Sequence, residues 1–212
     1  LSLRRQRQMC IRDRINTTRV GAAEGILWAF NSLYFDANRS NTIRSGVYRL
    51  RDNNGDDKFD ETRIIRVRQG SGDHGTHTLQ LTPDGKMITM ISGNATHPTE
   101  HNRSRVPEIW GEDNLNMRMD LSPPGFHRAP EATLYNFNED GTDFELWSMG
   151  MRNPVSMAYN KDGELFVYDA DEEPNMGFTV GYRPTDIIHA ISGSDAGWRA
   201  GSKVHPYYQF DF

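Results

Sequence analysis

The chain has 212 residues, with 24 Lys and Arg against 29 Asp and Glu, and this acidic balance of −5 excludes a general nucleic-acid binder. Its longest apolar run, Ile26 to Phe30, is five residues. A bilayer span takes about 20, so no direct membrane span is expected. A single cysteine, Cys10, excludes an internal disulfide framework and any CxxC or CxxCH site.

Residues 1–14 hold five of the 20 arginines and the only cysteine, for a local charge of +4. They lack the apolar stretch of a targeting peptide and resemble translated sequencing-adapter read-through, so they are read as a foreign leader outside the fold. The body, 15–212, is cysteine-free with a charge of −9, and one domain is expected there. Its elements are short strands. The first four are predicted at Gly25–Phe30, Ser32–Ala37, Gly46–Asp52 and Thr62–Arg68. The next two are His77–Thr82 and Lys86–Ser92, joined by a Pro-Asp-Gly turn in which glycine supplies a positive φ. Residues 94–131 carry five of the ten prolines and are expected to form a long, irregular insertion. Beyond it come Ala132–Asn138, Phe144–Gly150, Val155–Asn160, Glu164–Ala170 and Thr185–Ile191.

These strands are one four-strand phrase repeated three times. First strands begin at 25, 77 and 155 and third strands at 46, 132 and 185, a period of about 53 with one insertion in the second copy and an irregular end to the third. Four short strands per repeat is the pattern of a propeller blade. The expected fold is therefore all-β, a β-propeller of about three blades. Three blades do not close a ring, so the chain reads as a fragment of a larger one. A β-sandwich with coincidental spacing is the alternative.

In a propeller the loops leading into the first strands gather at the channel mouth. His74 and Arg152 fall at matching positions there, with Glu24 close to the same position in the first copy. His74 is a candidate general base because histidine is the side-chain type whose unperturbed pKa lies near neutrality. Arg152 offers a charged planar fork for an anionic oxygen, and Asn153 adds amide donors. The alternative is that these groups only tie blades together. The acidic group Asp169, Asp171 and Glu172, extended by Glu173, is a candidate hard-cation site. Asp52 to Asp60 has oxygen ligands at alternating positions but lacks the closing Glu of an EF-hand, and reads as a solvated Asx/Gly turn. His97-Pro98-Thr99-Glu100-His101 matches a zinc-protease pattern in letters, but its Pro-rich setting does not suit a helix.

The runs Gly46–Asp52, Asp73-His74-Gly75-Thr76-His77, Gly150-Met151-Arg152-Asn153-Pro154, Val167–Asp171 and Ile191–Arg199 resemble the propeller of bacterial membrane-bound dehydrogenase proteins. That family is related to the soluble quinoprotein glucose/sorbosone dehydrogenases. The resemblance implies a six-bladed ring carrying pyrroloquinoline quinone (PQQ) and calcium, and oxidation of a sugar or alcohol hydroxyl. It further implies a periplasmic or extracellular location and a c-type haem electron acceptor outside this chain. His74 matches the base, Arg152 and Asn153 match the cofactor-contacting pair, and Asn94 stands where the family has the aspartate that orients the base. Asp169, Asp171 and Glu172 replace the usual calcium loop. Two other functions fit the same mouth: a non-catalytic propeller binding carbohydrate or a protein partner, and metal-dependent hydrolysis of the lactonase kind.

Overall fold

The computed structural model describes residues 22–39, 43–70, 72–96, 100–108, 130–170 and 185–197, and among them every regular element is a strand. The leader 1–14 lies outside the described residues. The first sheet contains β1 (Ala22–Ala29), β2 (Ser32–Asn38), β3 (Gly46–Arg51) and β4 (Glu61–Val67), antiparallel and in sequence order. β1 and β2 are joined by Phe30-Asn31, both at positive φ (49° and 52°), the geometry of a tight two-residue hairpin. β1 begins three residues before its predicted start, because a bulge between Ala23 and Gly25 lets the ladder continue past Glu24.

The second sheet is built from β5 (Thr76–Leu81), β6 (Ile88–Ser92), β7 (Arg103–Ser104), β8 (Leu134–Phe137) and β9 (Glu145–Ser148), in the order β5-β6-β8-β9-β7. The third contains β10 (Pro154–Tyr159), β11 (Leu165–Asp169) and β12 (Asp186–Ala190). Thus the three predicted repeats are three sheets, and the third has three strands among the described residues.

Side-chain alternation explains why the sheets stack. In β2, Tyr34 turns toward the second sheet while Phe35 turns away onto Tyr48, with the two rings stacked at 5.0 Å. In β6, Ile88 and Met90 join the core shared with the first sheet, whereas Ile91 joins the core shared with the third. The middle sheet is covered on both faces, so all five residues of β6 are buried. Polar links cross the same interfaces: Tyr34 Oη donates to Glu139 O (2.9 Å), Thr89 Oγ1 meets Tyr159 Oη (2.6 Å), and Thr78 Oγ1 donates to Val155 O (2.9 Å). Gly25 permits the close approach of β1 and β5, since a Cβ there would lie 2.2 Å from His77 O. Between the first two sheets lies a buried ion pair, Arg68 Nη1 to Asp36 Oδ2 at 2.6 Å.

The insertion differs from its expectation in one respect. Its described part is not wholly irregular, because β7 pairs parallel to β9 at the sheet's outer edge. Charge fixes it there. Glu145 Oε1 accepts from Arg103 Nε (2.9 Å) and Arg105 Nε (2.7 Å), and Arg103 Nη1 reaches Asp143 at 2.6 Å. Glu145→Ala is expected to raise trypsin cleavage at Arg103 and Arg105 several-fold. Both arginines are half exposed, so global stability should change by only about 1 kcal/mol, read by urea unfolding.

Candidate functional site

Four turns meet at one end of the second and third sheets. The lead-in to β5 carries His74, the exit from β6 carries Asn94, the lead-in to β10 carries Arg152 and Asn153, and β11 ends at Asp169. Backbone bonds knit them together. Gly93 N–H donates to Gly75 O (2.8 Å), Ala95 N–H to His74 O (3.1 Å) and Asn94 N–H to Arg152 O (2.9 Å), so the turn at 93–95 bridges two lead-in loops. Asp169 secures the Arg152–Asn153 loop from beneath: its Oδ2 accepts from Arg152 N–H (2.9 Å) and its Oδ1 from Asn153 N–H (2.7 Å).

Within this frame His74 Nδ1 lies 2.7 Å from Asn94 Oδ1. An amide oxygen only accepts, so Nδ1 is the donor of this contact. Asn94 is fully buried, and its Nδ2 has no hydrogen-bond partner among the described residues. Arg152 is buried and donates from Nη1 to Ala170 O at 2.8 Å. The structure therefore brings together five predicted residues: His74, Asn94, Arg152, Asn153 and Asp169. Asp171 and Glu172 lie outside the described residues. Glu24 is exposed on β1, and its charge acts on His77.

His77 is the residue that sequence reasoning missed. Its Nε2 lies 2.8 Å from Asn153 Oδ1, across the interface between the second and third sheets. Burial pushes its pKa down, against the opposing effects of the Asn153 hydrogen bond and the Glu24 charge. The available signal was a second polar residue, three positions after His74, inside a strand otherwise read as lining the channel.

The other motifs resolve differently. Asp52 Oδ1 accepts from the backbone N–H groups of Asn54 and Gly55, and its Oδ2 from that of Asp57, the expected solvated turn. His97 is outside the described residues. His101 pairs with Glu108 (3.2 Å) on the way into β7, and neither it nor Glu100 is in a helix. Among the described residues no group of three or more His, Cys, Asp or Glu is placed to hold a metal ion.

Glycine at 93 is required by space. A Cβ there would lie 2.6 Å from both Asn153 Oδ1 and the backbone oxygen of His74. Gly93→Ala is therefore expected to cost about 1–3 kcal/mol in urea unfolding and to push His74 and Asn153 apart.

Three successive blade-like sheets, stacked face to face with their lead-in loops at one end, define a partial β-propeller. Solved structures share this fold. An oxidoreductase (glucose dehydrogenase) from Thermus thermophilus matches with a TM-score of 0.54 at 18% identity, over 86% of this chain and 54% of that one. The PQQ-bound aldose sugar dehydrogenase of Streptomyces coelicolor matches at 0.51 and 12%, over 85% and 49%. The apo form of the soluble aldose sugar dehydrogenase of Escherichia coli matches at 0.50 and 16%, over 86% and 51%. The chain spans about half the length of these structures. No protein-family model and no curated protein matches it.

Proposed function

We infer that the chain is part of a quinoprotein-type dehydrogenase propeller that oxidises a sugar or alcohol hydroxyl, with His74 as general base. The observation that carries this reading is the His74–Asn94 pair, in which the buried amide oxygen orients the imidazole through Nδ1 next to the loop bearing Arg152 and Asn153. The shared fold with proteins described as sugar dehydrogenases supports it.

The donor chemistry fits PQQ, a planar tricarboxylate quinone that calls for cations and N–H donors. Arg152 supplies a guanidinium, and the unpartnered Nδ2 of Asn94 leaves a further donor in the same cluster. Arg152 and Asn153 would hold the cofactor, which when bound supplies a two-electron hydride acceptor. His74 would accept the substrate hydroxyl proton at Nε2, and Asn94 would keep its ring in the tautomer that permits this. Asp169 holds the Arg152–Asn153 backbone in place. A calcium site at Asp169, Asp171 and Glu172 belongs to the same reading, as do a six-bladed ring, a c-type haem acceptor outside the chain and a periplasmic or extracellular location. No helix among the described residues is long and apolar enough to cross a membrane.

The test is titration of the full chain with PQQ and Ca²⁺, followed by a dye-linked assay over a panel of sugars and alcohols. Absence of quinone binding rules the reading out. The second reading, a non-catalytic propeller binding carbohydrate or a protein partner at the mouth, is favoured by one observation. Asn94 offers His74 a dipole where a carboxylate would offer a full charge. Ligand binding without turnover, unaffected by His74→Ala, would select it.

A further inference from the structure

Asn153 is tightly held at the mouth, with its side chain turned onto a neighbouring blade. It is only 6% exposed and is fixed at three points. Its N–H donates to Asp169 Oδ1 (2.7 Å), its carbonyl accepts from Ala170 N–H (3.1 Å), and its side-chain Oδ1 faces His77 Nε2 (2.8 Å). Gly93 presses on that same oxygen, where any Cβ would collide with it.

The contact with His77 fixes more than position. An amide oxygen accepts and does not donate, so the bond requires the Nε2–H form of His77. Burial, which disfavours the charged imidazolium, suits a neutral ring. Because the amide group is planar, holding Oδ1 also sets where Nδ2 points. That Nδ2 has no hydrogen-bond partner among the described residues. The two sheets do not need this contact to be joined, since Thr78 on the same strand already donates to Val155 O.

We propose that His77 is a positioning residue, which by holding Asn153 Oδ1 presents Asn153 Nδ2 as a fixed donor to a carbonyl or carboxylate oxygen of the group bound beside His74 and Arg152. The quinone identity of that group rests on the function inferred above, while the orientation of the amide does not. A donor locked before binding loses little freedom when its acceptor arrives, so its contribution appears in affinity.

The experiment uses the full chain labelled with ¹⁵N. Wild-type His77 should appear as the Nε2–H tautomer with a slowly exchanging ring proton. Asn153 should give one resolved side-chain amide pair, assigned by its loss in Asn153→Ser. In His77→Leu that pair should move to the shifts of a freely rotating amide, and in His77→Gln, which keeps an N–H donor, it should return. Titration with PQQ should show affinity falling about tenfold in His77→Leu and recovering to within about threefold in His77→Gln. Their urea midpoints should match, because a merely structural residue would not be rescued by its donor alone. An Nδ1–H tautomer in the wild type, an Asn153 pair unmoved by His77→Leu, or a glutamine variant no better than leucine would overturn the proposal. If the leucine variant fails to fold, the wild-type tautomer and the glutamine variant decide it. If the wild type binds no PQQ, the quinone reading falls, and the amide signals still settle the role of His77.

Discussion

Asp36→Leu is expected to destabilise the chain by about 3–5 kcal/mol, because it strands the Arg68 guanidinium in the interface between the first two sheets. Both side chains are essentially inaccessible, at 1% exposure for Arg68 and 0% for Asp36, and Arg68 cannot escape by losing its proton. Arg68→Met should cost less. The carboxylate it leaves behind can take a proton, and burial already pushes Asp36 up to about 6 against an ordinary 3.8, outweighing the Arg68 charge. The double variant Asp36→Leu/Arg68→Met should lie within about 1 kcal/mol of wild type or above it, since two apolar groups carry no desolvation penalty. Urea unfolding of all four proteins closes this cycle. The raised pKa also fixes the sign of a pH effect. Between about pH 4 and 6 the folded state binds more protons than the unfolded, so the Asp36 contribution is fully present below pH 4 and is lost as pH rises through 6. A shift of about two units corresponds to roughly 3 kcal/mol. Wild-type stability measured against the double variant should therefore fall across that window and level off above it. A flat difference, or one that rises, would contradict the placement of this pair.

Sequence alone revealed the strands because their physics is local. A two-residue alternation, a glycine or asparagine turn and a recurring length suffice to mark β5, β6, β10 and β11 within two residues of where they form. The parallel strand β7 could not be found that way. Its two residues have no alternation of their own, and their place is fixed by β9, about 40 positions further along, through the carboxylate of Glu145. The bulge at Glu24 is similar: it depends on how β1 registers on β2, and single-strand patterns do not show it.

The site divides along the same line. His74, Arg152 and Asn153 stand out because unusual residue types recur at matched offsets of a repeat. Asn94 was legible through the family resemblance and Asp169 as one of a cluster of acids after a strand, and the structure gives both a concrete partner. His77 was not legible, since its role depends on an acceptor 76 residues away in another blade. The Asp169 carboxylate carries a second lesson. A cluster of acids after a strand suggests a cation, and the structure adds a second role for its described member, whose two oxygens accept from backbone N–H groups and so fix the neighbouring loop.

His74→Gln is expected to lower turnover by about 10²–10⁴-fold, the usual range for removing a general base, while PQQ affinity changes by less than about threefold. Glutamine keeps the approximate size and polarity of imidazole but accepts no proton at neutral pH. The variant that discriminates is Asn94→Asp. Asn94 Oδ1 already sits 2.7 Å from His74 Nδ1, so a carboxylate there would replace a dipole by a charge at the same distance. An opposite charge that close favours imidazolium and raises the histidine pKa by about one unit or more. The acidic limb of the pH–rate profile, which reports the base losing its lone pair, should then move upward by the same amount. Above that limb, turnover should rise, because a stronger base in the correct tautomer draws the hydroxyl proton more effectively. A profile unmoved by Asn94→Asp would separate Asn94 from the base. Turnover that survives His74→Gln would place the proton acceptor elsewhere in the mouth.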